Sequence, residues 1–252
     1  MLHGQVAWWA GWALLRASAG RRAFTLPPSG PAAAVHLTTV VRLPAEITAA
    51  LAPALDRLRA VGPLHHYYPP AAMHLTVQNL DPLGVNGDHI TGLGVDRDTT
   101  TMPGVDGDPA PLLAEVRGLV GAHPPFQVAV RGLGAAPATV FALAFPDDPT
   151  LRSLRAELAG LLAGKRLGRV PSGTERRRLG RGSGSRRALG HANLVRFSGP
   201  VTAAFLSELA RLRRQDFGCF AVGEVELVRT DRFLSPEGTT VLERIRLTGR
   251  SD

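Results

Sequence analysis

From Val35 onward the apolar residues of this chain spell the same series of segments twice. The first round opens with an apolar strand over 35–43. A helix follows Pro44, with Ile47, Leu51, Leu55 and Leu58 on one stripe and Pro53 as a kink. A strand over 74–80 comes next, then a helix over 111–122 carrying Leu112, Val116 and Leu119, then a strand over 126–133. The second round repeats the order. A strand over 139–145 precedes a helix entered through Asp148 and Pro149, an N-cap followed by a first-turn proline. Leu151, Leu154, Leu158 and Leu161 line that helix. A strand over 191–197, a helix with Phe205, Leu209 and Leu212, and a strand over 220–228 complete the round; a strand over 241–247 is left over. A sheet buries one face against helices, so each round suits a small sheet with two helices outside it. The expected fold is α+β, bilobal and duplicated: two antiparallel-rich sheets, helices on the outer faces and a central groove.

The third segment of each round begins with a histidine. One reads His74-Leu75-Thr76-Val77, the other His191-Ala192-Asn193-Leu194. Residues i and i+2 of a strand point to the same face. His74 therefore shares a face with Thr76, and His191 with Asn193. Two imidazoles meeting in one groove can do acid–base chemistry without a metal, one taking a proton while the other gives one. His36-Leu37-Thr38 fits the same short pattern, but the opening strand of round two has no matching histidine, so His36 reads as structural. His65, His66, Tyr67 and Tyr68 lie just before the first histidine strand. They read either as a solvated strand edge or as a platform on which a base stacks.

Composition bounds the partners. At 252 residues, 44% hydrophobic and 20% charged, the chain is globular, with length enough for a large core. Its net charge is +8, and Lys165 is the only lysine, so arginine carries the excess. The guanidinium fork suits phosphate, but an arginine excess also follows from a GC-rich genome, so the charge alone adds only modest weight to a nucleic-acid partner. Cys219 is the single cysteine, which rules out an intramolecular disulfide and a cysteine-built metal site. It reads as a small packed hydrophobe in a protein of the reducing cytoplasm. Residues 6–15 form an apolar run too short to span a bilayer, preceded by no Lys or Arg and closed by Arg16. With Pro27, Pro28 and Pro31 they make residues 1–33 an expected N-terminal extension, a mis-called start or a loosely attached helix with a Pro-rich linker rather than an export signal; a membrane-held protein anchored by Trp8, Trp9 and Trp12 is the competing reading. Residues 34–252 form the main domain, expected as a monomer. Two insertions interrupt it: 84–108, rich in Gly, Asp and Thr, and the arginine-rich 165–187. Asp96, Asp98, Asp106 and Asp108 lack the spacing of a calcium loop and read as solvated.

The paired motifs resemble the His-x-Thr/Ser motifs of the 2H phosphoesterase superfamily, in particular its 2′-5′ RNA ligase and cyclic phosphodiesterase branch. The resemblance covers roughly residues 35–248. It includes Pro69-Pro70 before the first motif, Arg196 behind the second, and the strand that leads to Arg229-Thr230-Asp231. It implies a bilobal, duplicated α+β fold and a metal-independent phosphoesterase without cofactor. The implied substrate is an RNA or nucleotide carrying a 2′,3′-cyclic phosphate or 2′-5′ linkage. His74 and His191 would be the acid–base pair and Thr76 a phosphate ligand, with Tyr68 and Arg196 as substrate contacts. Asn193 stands where the family has Thr or Ser. Its amide still donates, but it is longer and flatter than a hydroxyl. The alternative this departure raises is an RNA- or nucleotide-binding protein on the same fold with weak or no catalysis.

Overall fold

The computed structural model describes residues 36–80, 110–136, 138–167, 190–231 and 233–249. Their elements run β1 (His36–Arg42), α1 (Ala45–Val61), β2 (His66–Tyr67), β3 (His74–Asn79), α2 (Ala110–Gly121), β4 (Phe126–Ala136), β5 (Thr139–Pro146), α3 (Thr150–Leu167), β6 (Gly190–Arg196), α4 (Ala203–Leu212), β7 (Asp216–Val222), β8 (Glu224–Thr230) and β9 (Thr240–Arg246). The protein is α+β. The strands form one antiparallel sheet in the order β7-β4-β5-β6-β3-β1-β8-β9, with β2 beside β6.

The sheet is two four-stranded halves meeting at a seam. β5 pairs with β6, and β1 with β3, along most of their lengths. β3 and β6 pair at a single position, Leu75 opposite Ala192. The helices cover one face. Leu75, Val77, Ala192 and Leu194 join a core with Leu51, Leu55, Leu151, Leu158, Phe205 and Leu209. Local signals set the helix ends. The Asp148 carboxylate accepts from the Thr150 amide, and the Thr202 hydroxyl from the Phe205 amide. α1 has Glu46 in its first turn and Arg59 in its last, matching its dipole, and it runs unbroken through Pro53.

The two rounds of the sequence do not each keep to one half. β4, which closes the first round, lies beside β5 of the second. The single strand expected over 220–228 is two strands separated by Gly223: β7 edges β4, while β8 lies beside β1 in the other half. The helices cross as well. α1 packs on β7 and α4, and α3 packs on β3 and α2. A period-two pattern tells which face of a strand is buried but not which strand lies next to it. Cys219 is also corrected: it is exposed, because Phe217 and Phe220 occupy the buried positions of edge strand β7.

The N-terminal extension 1–33 and the insertion 84–108 lie outside the described residues, as does most of 165–187; α3 continues through its first residues to Leu167. Among the described residues no helix is long and apolar enough to cross a membrane.

Candidate functional site

The seam brings the two histidine motifs together. Leu75 and Ala192 are directly opposed and both point into the helix-covered core. Residues on either side of an opposed pair face the other way. Antiparallel register then sets Thr76 against His191 and His74 against Asn193, all four on the face away from the helices. They form a square with the histidines on one diagonal and the two short polar residues on the other. Diagonal positions on neighbouring strands lie about 7–8 Å apart, wide enough to hold a phosphate between two imidazoles. The histidines thus stand on adjoining strands of one surface, rather than on facing walls of two separate sheets.

A matched backbone irregularity follows each motif. β1 and β3 pair Val40 with Thr76 and Thr39 with Gln78, so Val77 is an extra residue without an opposite number. β5 and β6 pair Phe141 with Asn193 and Val140 with Val195, which leaves Leu194 in the same situation. Each is a β-bulge, a device that re-aims side chains beside it. The duplication reaches the hydrogen bonds. Thr38 donates to the Gln78 carbonyl at 3.1 Å, and its counterpart Thr139 donates to the Val195 carbonyl at 2.8 Å. Thr139 also contacts Oδ1 of Asn193 at 3.2 Å. With Oδ1 turned to that hydroxyl, Nδ2 is the end of the amide left to serve an anion.

The two histidines differ in surroundings. His74 is 5% exposed, and its Nδ1–H donates to the Ala72 carbonyl at 2.7 Å, which fixes the tautomer and leaves the Nε2 lone pair as acceptor. Burial, opposed in part by that hydrogen bond, together with the charges of Arg42, His191 and Arg196, lowers its pKa to about 4. Arg42 is the cross-strand partner of His74, held by Glu226 and the Ala71 carbonyl, both at 2.8 Å. The equivalent neighbour of His191 is Leu143. His191 is exposed and meets the Phe141 ring edge-on at 5.4 Å. A neutral, desolvated imidazole thus stands diagonal to a solvent-facing one.

Tyr68 and Arg196 lie together behind the motifs. They are 2% and 3% exposed, and Nε of Arg196 donates to the Tyr68 hydroxyl at 3.2 Å. The residues 65–68 divide by strand alternation. His65 is buried edge-on between Phe197 and Phe205, so the solvated-edge reading fails for it. Tyr67 donates to the Gly62 carbonyl and lies under Arg59. His66 and Tyr68 instead meet Phe233, with ring centroids 5.5 and 6.5 Å away. Asp231 fixes the loop that carries Phe233 by accepting from the amides of Phe233 and Ser235. Leu234, at φ 49°, packs with Val40 and Val228.

Sequence reasoning missed Arg42, Thr139 and Arg155 as neighbours of the motifs, and Phe233 as the ring that meets His66 and Tyr68. None left a sequence signal: Thr139 matches Thr38 only through strand register, being first in its expected strand where Thr38 is fourth. Among the described residues no group of three or more His, Cys, Asp or Glu gathers in a way that could hold a metal ion.

No protein-family model matches the chain, and no curated protein matches it. Solved structures do. The crystal structure of TT0787 of Thermus thermophilus is 24% identical, with a TM-score of 0.54, over 86% of this chain and 100% of that one. E. coli LigT complexed with phosphate is 18% identical, with a TM-score of 0.46, over 84% of this chain and 97% of the other. A structure described as a phosphoesterase is 18% identical, with a TM-score of 0.47, over 85% and 99%. The chain has the fold of TT0787.

Proposed function

We propose that this protein is a metal-independent phosphoesterase of the 2H type that opens a 2′,3′-cyclic phosphate or cleaves a 2′-5′ linkage in RNA or a nucleotide. The observation that carries the reading is the Leu75–Ala192 pair, whose register sets both histidines and both short polar residues around one point of the sheet. The phosphate sits at that point. Nε2 of His74, neutral and buried, takes the proton of the attacking water. Water oxygen bonds to phosphorus, the bond from phosphorus to one ribose oxygen breaks, and His191 protonates that oxygen. Thr76 Oγ and Asn193 Nδ2 donate to the phosphate oxygens as charge builds on them. Arg196, held by Tyr68, supplies positive charge behind the histidines, and the rings of His66 and Phe233 offer a surface for a base. Opening a cyclic phosphate gives a nucleoside monophosphate, and the two histidines exchange one proton each with solvent.

The binding-only alternative rests on Asn193, whose amide is tied to Thr139. Turnover separates the two readings. Wild-type protein is expected to hydrolyse a nucleoside 2′,3′-cyclic phosphate in the presence of EDTA. Nucleotide binding with no turnover would replace the catalytic reading by the binding one.

The environment of His74 makes a pH prediction. A base works in its neutral form, so activity is lost as pH falls through the pKa of that base. The pKa of His74 is lowered to about 4, so kcat/KM should lose this proton acceptor only on approach to pH 4. Replacing Arg42 by Gln removes one of the charges that lower it, and the acid limb should move upward. A limb fixed at the ordinary histidine value in both proteins would contradict the assignment of His74 as base.

A further inference from the structure

We propose that Arg155, on the helix of the second round, is a positioning residue for the first motif and acts through Thr76. This rests on the phosphoesterase reading given above. Its guanidinium reaches across from α3 to the bulge of β3. Nη2 donates to the Thr76 carbonyl at 2.7 Å and Nε to the Val77 carbonyl at 3.1 Å.

Two features make this more than a surface contact. The first is where β3 loses its partner. β3 pairs with β1 along its length but with β6 only at Leu75 and Ala192, so carbonyls of β3 that β1 does not meet need another donor beyond that point. An unmet, half-buried carbonyl would pull the strand toward water or toward β6, and the side chain of Thr76 would turn with it. The second is the duplication. At the matching bulge of β6 the Leu194 carbonyl accepts from the backbone amide of Tyr68 at 3.0 Å, because β2 runs along that side of β6. Leu194 and Val77 are equivalent residues of the two bulges. What a short strand does for the second motif, one arginine fork does for the first. On the β1 side of the same bulge Thr39 donates to the Gln78 carbonyl at 3.1 Å, so the bulge is held from both sides. The planar fork is suited to the task, since two of its N–H groups meet two carbonyls in a fixed geometry.

The test is a double-mutant cycle of Arg155→Met with Thr76→Ala, read on turnover of a nucleoside 2′,3′-cyclic phosphate. Two residues that work as one unit give losses that do not multiply. Arg155→Met alone should lower kcat about tenfold, and should cost less than about threefold once Thr76 is alanine. Arg155→Lys, which keeps a donor but not the fork, should fall between wild type and Arg155→Met. Losses that multiply in full would mean that Arg155 only supports the fold and would overturn the proposal. If Arg155→Met does not melt cooperatively, Arg155→Lys carries the same cycle with the same two outcomes. If the wild-type protein turns over no cyclic phosphate, the cycle is read on binding of a nucleoside 2′-monophosphate. Coupling in binding without turnover would sustain Arg155 and remove the catalytic reading. Additive effects on binding would remove Arg155 as a positioning residue.

Discussion

His74→Ala and His191→Ala are each expected to lower turnover of a nucleoside 2′,3′-cyclic phosphate by about 10²- to 10⁴-fold, the range a positioned general acid or base contributes. The double variant should lose little beyond the worse single one. The reason is the square at the seam, where one histidine takes a proton in the same event in which the other gives one. Removing either ends the concerted route, and removing the second takes away little more. The variants should also differ in stability, because His74 is buried with its Nδ1 bonded to Ala72, whereas His191 faces solvent. His74→Ala should lower Tm more than His191→Ala. His36→Ala should stay near wild type in turnover. Steady-state kinetics on the four proteins checks this, and independent, fully multiplicative losses would argue against a shared phosphate site.

Thr76→Ala should cost more than Asn193→Ala, although the two residues occupy equivalent places. A hydroxyl donor that serves the transition state is worth about 3 kcal/mol, or about 10²-fold in rate. Thr76 is the short hydroxyl of the pair. Asn193 has its Oδ1 against Thr139 and acts through a longer, planar amide. Asn193→Thr restores a hydroxyl at the same face position and should keep or raise kcat. Thr139→Val should lower the activity of the wild-type protein and have less effect once Asn193 is threonine, since the amide it orients is then gone. A loss from Asn193→Ala as large as that from Thr76→Ala would mean the two motifs share the load evenly.

Much of this arrangement was legible in the sequence because it follows from local periodicity. Alternation along 74–79 and 190–196 put each histidine with its polar neighbour on one face, and the twofold order of segments matched the motifs to each other. The pairing of β4 with β5, the break at Gly223 and the exchange of α1 and α3 between the halves were not legible. They depend on which elements meet across the sheet, and hydrophobic pattern carries no such information. The same limit explains the residues that were missed. Arg42 meets His74 through strand register, Phe233 meets His66 and Tyr68 through a loop fixed by Asp231, and Arg155 meets Thr76 over 79 positions of chain. The bulges were hidden for another reason: nothing in His-x-Thr-Val or His-x-Asn-Leu distinguishes an extra residue from a paired one, and only the facing strand reveals the slip. Adjacent histidines look alike in sequence, so a solvated edge is the expectation for His65 as for His66, while alternation sends His65 into the core and His66 toward Phe233.

The position of phosphorus in a complex with a nucleoside 2′-monophosphate tests the central claim most directly. A crystal structure of that complex should place the phosphate over the Leu75–Ala192 junction, with Nε2 of His74 and an imidazole nitrogen of His191 on opposite sides of it and both Thr76 Oγ and Asn193 Nδ2 within hydrogen-bond reach. A phosphate bound elsewhere on the protein, or at the junction but touched by only one of the two histidines, would contradict the two-histidine site.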